Sequence, residues 1–272
     1  MATTVTYKGA TLATVENQTK TLQTAGTWVE DDFTLTDVTQ GGGGYTINDI
    51  ITHTIEGDLV YTGTSASHFS YMGTKVRTVS LPNMTTLNNI NQNNNGYIFA
   101  NCTELTSFSA PKITRASDYL LFGCTSLVTL DAKELTDSGA QLAKGCTSLR
   151  TVVFPKIQVL YNTCFGSCTS LETVDILGSN YIHANVFSGD TNLTTLIIRK
   201  DGVCTLQNIN NFNNTPFASN GTGGTLFVPQ AQISAYQSAS NWSTLLGYAN
   251  NQVLPIEGSI YETQYADGTV IA

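Results

Sequence analysis

The side chains best able to do chemistry in this 272-residue sequence are its six cysteines, and four of them keep a fixed interval. Cys102, Cys124, Cys146 and Cys168 fall 22 residues apart, and Asp190 takes the same slot one period later. A thiolate can act as a nucleophile, hold a metal or exchange disulfides. An interval of 22 is far too long for a CxxC metal clamp, although Cys164 and Cys168 stand four apart. Stacked β turns rise by about 4.8 Å, so thiols on successive turns could touch. An even column nevertheless offers no preferred disulfide pairing, and this one ends in a carboxylate. It reads as small buried thiols packed inside a coil, with disulfides and a metal ion as the alternatives. Cys164 and Cys204 stand off the column. No metal site and no cofactor is expected.

The other reactive groups are scattered. His53, His68 and His183 sit in different stretches, none beside a serine or cysteine nucleophile motif, so a triad would have to be assembled from distant parts. No phosphate-binding loop, GxSxG, HExxH or EF-hand pattern occurs. Asp131, Glu172 and Asp175 could pair across coils as a glycosidase requires, and solvated strand residues account for them equally. The run Glu30, Asp31, Asp32 reads as an exposed acidic turn, because an oxygen cage for a cation draws ligands from several offsets. Binding rather than catalysis is the expectation.

What positions these groups is a repeat. Around each ladder residue stands one phrase, as in Phe122-Gly-Cys-Thr-Ser-Leu127, Lys144-Gly-Cys-Thr-Ser-Leu149 and Phe165-Gly-Ser-Cys-Thr-Ser-Leu171. Three positions beyond each leucine comes an apolar residue: Phe108, Leu130, Val152, Val174, Leu196. A fixed period in the twenties marks a solenoid, in which each unit buries its apolar face only against its neighbours. Phe99, Phe122, Phe165 and Phe187 precede the ladder residues and are expected to stack as an aromatic spine.

Strand side chains alternate, so the residues flanking the second apolar position point outward. The one before it reads Thr78, Ser107, Thr129, Thr151, Thr173, Thr195, a hydroxyl column suited to cross-strand stabilisation. The one after it reads Ser80, Ser109, Asp131, Val153, Asp175, Ile197 and varies. A constant column beside a variable one suits a binding face on a fixed scaffold. The candidate residues are Asp131, Val153, Asp175 and Ile197, with Arg150 and Glu172 beside them; an unspecialised solvent face is the alternative.

Along the chain, residues 1–39 read as a short β module, with a hairpin around Lys8-Gly9-Ala10 and an alternating strand from Trp28 to Val38. Residues 40–44 are a glycine linker. Residues 45–224 carry the solenoid with its N-terminal cap, and a polar insertion at 88–95 lengthens its first period. Residues 225–272 form a C-terminal cap: a closing strand at 225–228, one helix from Gln230 to Leu246 and a β-patterned tail. The fold class expected is a β-rich solenoid with a short N-terminal β module and a helical C-terminal cap. A formal charge of −8 argues against nucleic acid, which needs basic patches to replace phosphate counterions. No run of 18 apolar residues occurs, so no membrane insertion is expected. The opening Met1-Ala-Thr-Thr-Val has neither a basic nor an apolar signal region. If complete, the chain is made in a cytoplasm and stays there or leaves by assembly or lysis.

The phrase Phe-x-x-Cys-Thr-Ser-Leu-x-x-Val-x-x-Pro-Lys-Ile resembles the BspA-like class of bacterial leucine-rich repeats, over about residues 76–230. The resemblance implies a right-handed solenoid with one short strand per turn, used for adhesion or display. The N-terminus, Val5-Thr-Tyr-Lys-Gly-Ala-Thr-Leu12 with Asn17-Gln-Thr-Lys-Thr-Leu22 and Asp31-Asp-Phe-Thr-Leu-Thr-Asp37 before the glycine run, resembles openings of phage tail or other virion proteins. That likeness implies a virion-borne structural protein whose partners are a host-surface protein or glycan or other virion proteins. Virion proteins of this layout commonly form homo-oligomers. The other reading is a bacterial cell-surface or secreted adhesin.

Overall fold

A chain that returns on itself every 22 residues needs corners, and each turn supplies two with left-handed backbone. The residue before each ladder position has positive φ: Asn101 (59°), Gly123 (71°), Gly145 (77°), Ser167 (64°) and Gly189 (89°). Glycine adopts this conformation without a Cβ clash, which explains its place in the phrase. Five positions before the ladder residue, Tyr119, Gln141, Thr163 and Asn185 do the same. Thr163, branched at Cβ, is strained there.

The structure, a computed structural model, describes residues 76–87, 98–177 and 179–264 and, as backbone, six strands before them. These six are β1 (Thr4–Tyr7), β2 (Ala10–Thr14), β3 (Lys20–Leu22), β4 (Phe33–Thr36), β5 (Gly57–Tyr61) and β6 (Ser65–Ala66). The chain continues through β7 (Val76–Ser80), β8 (Thr86–Leu87), β9 (Ser107–Ser109), β10 (Thr129–Asp131), β11 (Thr151–Phe154) and β12 (Val159–Leu160). It ends with β13 (Thr173–Ile176), β14 (Tyr181–Ile182), β15 (Thr195–Ile198), β16 (Thr205–Leu206), β17 (Thr225–Val228) and β18 (Gln252–Pro255).

One face of the solenoid is a parallel ladder in two hydrogen-bonded sheets, β3-β5-β7-β9-β10 and β11-β13-β15-β17-β18. A shorter parallel ladder, β12-β14-β16, lies on another face. Register equals one period, so Thr151 stands opposite Thr173 and Thr173 opposite Thr195. Identical slots therefore stack, which is why the sequence repeats. The expected hairpin is present: β1 pairs antiparallel with β2, and with β4 on its other side. Lys20–Leu22 pairs in parallel with β5, so the solenoid sheet takes in a strand from the stretch read as the anchor module. The glycine linker, the acidic run at Glu30, the 88–95 insertion, His53 and His68 lie outside the described residues.

The core fills the coil. Leu105, Leu127, Leu149, Leu171 and Leu193 form one buried column, and Phe108, Leu130, Val152, Val174, Leu196 and Leu226 another. Each such side chain contributes about 1.5–3 kcal/mol on burial. The aromatic spine is real but shifted from expectation. Phe165 and Phe187 stack with rings 6.2 Å apart and 4° from parallel, and the stack runs on through Phe212 to Trp242. Phe122 does not belong to it: it sits two residues before its cysteine where Phe99, Phe165 and Phe187 sit three, so Leu121 and Ala143 occupy the spine slot while Phe122 is half-exposed under Lys144.

The cap also departs from the sequence reading. In place of one helix there are a 3-10 turn (Gln230–Gln232), α1 (Ile233–Ser238) and α2 (Trp242–Leu246). The interruption falls at Asn241, whose φ is 65° and whose Nδ2 donates to Leu206 O and Gln207 O. Tying the break to the last coil aims Tyr236 and Trp242, both fully buried, into the open end of the core. Tyr236 Oη accepts from Cys204 N and Trp242 Nε1 donates to Cys204 O. β17 closes as expected, but β18 adds one further strand beyond it.

Phe165→Ala should cost about 3–5 kcal/mol, because the spine leaves no neighbour free to collapse into the void. Val128→Ala, at a side chain 54% exposed, should change stability by less than about 0.5 kcal/mol. Urea unfolding followed by circular dichroism measures both.

Candidate functional site

The thiol column shows what the cysteines do. Three of the four column thiols donate to a carbonyl of the preceding coil: Cys124 to Phe99 O at 3.1 Å, Cys146 to Leu121 O at 3.2 Å and Cys168 to Ala143 O at 3.1 Å. The acceptor is always the residue three before the previous ladder position. All six cysteines are free and buried. Burial pushes the Cys164 thiol up to about 12, which leaves it protonated and a poor nucleophile. Among the described residues no group of three His, Cys, Asp or Glu side chains is arranged to hold a metal.

Asp190 substitutes for the thiol with a different polarity. Its Oδ1 accepts from Cys168 N at 2.8 Å, while Oδ2 is buried without a partner. Burial holds this carboxyl well above the ordinary carboxylate range, against the pull of the Cys168 amide. His183, the one described histidine, stacks on Tyr161 with centroids 5.0 Å apart and meets no nucleophile.

The strand face is built as expected in register and differently in exposure. The hydroxyl column from Thr78 to Thr195 stands in line and continues to Thr225. In the variable column, the expectation of outward-facing, solvated residues fails at three positions. Val153 is 3% exposed, Asp175 2% and Ile197 0%. The cause is the chain's own C-terminal segment, which turns back over this face after β18. Ile256 packs with Val153 and Ile197 in a small apolar cluster separate from the main core, joined by Phe227 and Tyr261. The Tyr261 ring meets Phe227 edge-on at 4.8 Å. Ile260–Glu262 forms a 3-10 turn where β alternation was expected, and Tyr265 and Val270 lie outside the described residues.

A charged clasp fixes this strap. Arg199 Nε lies 3.0 Å from both carboxylate oxygens of Asp175, and Arg199 Nη2 is 2.7 Å from Asp175 Oδ2. The same Nη2 donates to Gln264 O at 2.7 Å. Burial pushes the Asp175 carboxyl up to about 6 despite the guanidinium beside it. A planar fork held on a buried carboxylate, with one donor left for a carbonyl, is a job for arginine and not lysine.

The remaining candidates face solvent at least in part. Asp131 accepts from Ser109 Oγ at 2.9 Å through Oδ2, while its Oδ1 is buried without a partner in the slot beside Val153. Arg150 and Glu172 form an exposed pair at 2.7 Å along the rim. Asp131 is thus separated from Asp175 by the buried Val153 slot, and Asp175 is committed to Arg199, so these carboxylates do not converge on a common space. The strap was missed in the sequence reading, although three apolar residues in an outward column (Val153, Ile197, Phe227) were its signal.

Residues 64–194 match the model of the BspA type leucine rich repeat region, in six copies. Among solved structures, the chain is similar to a leucine-rich repeat protein from Bacteroides ovatus ATCC 8483, with 21% identity and a TM-score of 0.43 over 55% of this chain and 39% of that one. It is also similar to the T. pallidum leucine rich repeat protein, with 17% identity and a TM-score of 0.38 over 70% of this chain and 79% of that one. This chain therefore spans well under half the length of the first. No curated protein matches it.

Two outcomes follow from the buried charges. A proton held by folded Asp190 is released by the unfolded chain near the ordinary carboxylate pKa of 3.8. Its contribution is therefore complete below that pH and is lost as pH rises above it, about tenfold in the folding equilibrium per unit. Asp190→Asn keeps the acceptor for Cys168 N and should remove this slope, seen by comparing denaturation midpoints of the two chains from pH 4 to 7. Arg199→Met strands Asp175 in the strap interface and should cost about 3–5 kcal/mol at neutral pH, read by urea unfolding.

Proposed function

We propose that this leucine-rich-repeat solenoid is a recognition head, binding a partner through the strand face and performing no catalysis of its own. Leucine-rich-repeat domains generally mediate protein–protein interaction, and repeat scaffolds of this kind present one surface to many partners. The observation that carries the reading is the variable column set beside an in-register hydroxyl column. The half that the strap leaves uncovered offers Ser109, Asp131 and Thr129, with the Arg150 and Glu172 pair at its rim. A chain with only 12% charged residues and many threonines, serines and asparagines suits a rigid head working outside a cell.

Its carrier, on this reading, is a phage particle, with the N-terminal strands as the docking module and a host-surface protein or glycan, or another virion protein, as the partner. The phage-like opening sequence supports this. The second reading, a bacterial cell-surface adhesin, is favoured by the BspA-type match, because such proteins are typically at the bacterial surface or secreted. No helix among the described residues is long and apolar enough to cross a membrane, and either carrier accommodates that.

Immunogold labelling of purified particles and of intact cells from one culture separates the carriers: label on particles supports the first, and label confined to cell envelopes overturns it. For the face itself, Asp131→Ala combined with Arg150→Glu should lower binding of the purified chain to host cells by about tenfold, or about 1.4 kcal/mol, with an unchanged melting temperature. Undiminished binding would move the contact off the strand face.

A further inference from the structure

The strap lies on the strand face as a piece separate from the coil. Of residues 256–264 only Ile256 is buried, while Val153, Asp175 and Ile197 in the covered column are 3%, 2% and 0% exposed. The cluster of Ile256, Val153 and Ile197, joined by Phe227 and Tyr261, is distinct from the core inside the coil. Phe154, Ile176 and Ile198, the next residues along β11, β13 and β15, belong to that core instead. Lifting the strap therefore uncovers one face of the sheet and leaves the coil closed.

The strap also carries its own structure. Ser259 N donates to Ile256 O, Glu262 N to Ser259 O and Gln264 N to Ile260 O. Tyr261 N donates to Ser259 Oγ, and Gly258 N to Glu262 Oε2 at 3.0 Å. Past Ile256, the tip meets the rest of the chain through the Tyr261 ring on Phe227 and Arg199 Nη2 on Gln264 O, with Gln230 N donating to Glu257 Oε2 at 2.8 Å. A segment with little buried surface and self-contained bonds opens locally, at a fraction of the free energy of global unfolding.

Its contacts show what the face accepts. Val153, Ile197 and Phe227 take an aliphatic side chain and an aromatic ring, and Arg199, fixed on Asp175, keeps a donor for a main-chain carbonyl. A glycan would leave hydroxyls unpaired against Val153 and Ile197, so the fit is to a peptide. We propose that the strap is an exchangeable self-ligand. The face beneath it is a docking site for a partner protein's segment bearing an aliphatic residue, an aromatic residue and a main-chain carbonyl placed as in Ile256, Tyr261 and Gln264. The strap closes this site until such a segment displaces it. The site is the covered half of the binding face proposed above and rests on that reading.

The probe is an amidated peptide with the sequence of residues 253–264, labelled with fluorescein at its N-terminus and titrated by anisotropy. The full chain carrying Ile256→Ser and Tyr261→Ala should bind it saturably. The wild-type chain should bind about tenfold more weakly or less, because its own strap competes at an effective concentration on the order of millimolar. A peptide with the same two substitutions should not bind. If the double variant does not fold, Tyr261→Ala alone serves. No binding to the loosened chain, equal binding to both chains, or equal binding of the substituted peptide overturns the proposal. In the wild-type chain, hydrogen exchange at the Glu262 and Gln264 amides should be protected about a hundredfold less than in β15. Equal protection would mean that the strap leaves only with the whole fold, and overturns it too. The peptide titration involves no host cell, so it can fail while the strand face still binds a host, and succeed while it does not.

Discussion

Every turn of this protein has to satisfy its backbone on the turn beside it. A helix closes its own hydrogen bonds, but a coil of short strands and corners leaves amides and carbonyls pointing along the stacking axis. The neighbour must answer them at the same place each time. Amides at corner positions therefore find carbonyls one period on, as Leu121 N does with Leu142 O and Ala143 N with Cys164 O. The thiol column extends this rule to side chains. A cysteine is small enough for the coil interior and still supplies a donor to the carbonyl below it, so it fills space and hydrogen-bonding need together. Asp190 obeys the geometry and breaks the polarity, being an acceptor in a donor's place. Close to it the period fades and the cap begins.

The cap and the strap answer a second need, which is to finish an object with open ends. At the C-terminal end Tyr236 and Trp242 close the core while their polar atoms pair with the Cys204 backbone. Among the described strands β18 is the last of its sheet, and Pro255 at its end removes a backbone donor from that edge, which discourages pairing with another chain. The strap covers what the last coils leave apolar on the strand face. The variable column thus changes character along its length, from Ser109 and Asp131 to Val153, Ile197 and Phe227.

The period was fully legible, and with it the register, the buried columns and the hydroxyl row, because a 22-residue repeat places like residues on like neighbours. Phe122 misled because the phrase around Cys124 is one residue shorter than the phrase around Cys168, and burial follows the slot and not the residue type. The helix break was hidden because a left-handed asparagine is chosen by a tertiary partner, here Leu206 and Gln207. The strap was hidden for the same kind of reason. Ile256 and Tyr261 are recognisable as apolar, but which surface they cover depends on contacts with Val153, Ile197 and Phe227, which lie 103, 59 and 29 positions before Ile256 in sequence. For the candidate site, sequence supplied the column and its position, while the occupancy of half of it came only from the fold.

The strand ladder is interrupted between β10 and β11, which adjoin in successive coils yet belong to separate hydrogen-bonded sheets. On the other faces the same two coils remain bonded, through Gln158 N to Thr136 O, Ala143 N to Cys164 O and Gly145 N to Gly166 O. Between these two coils the hydrogen bonds of the other faces hold the stack together, and on the strand face the ladder is parted between Asp131 and Thr151.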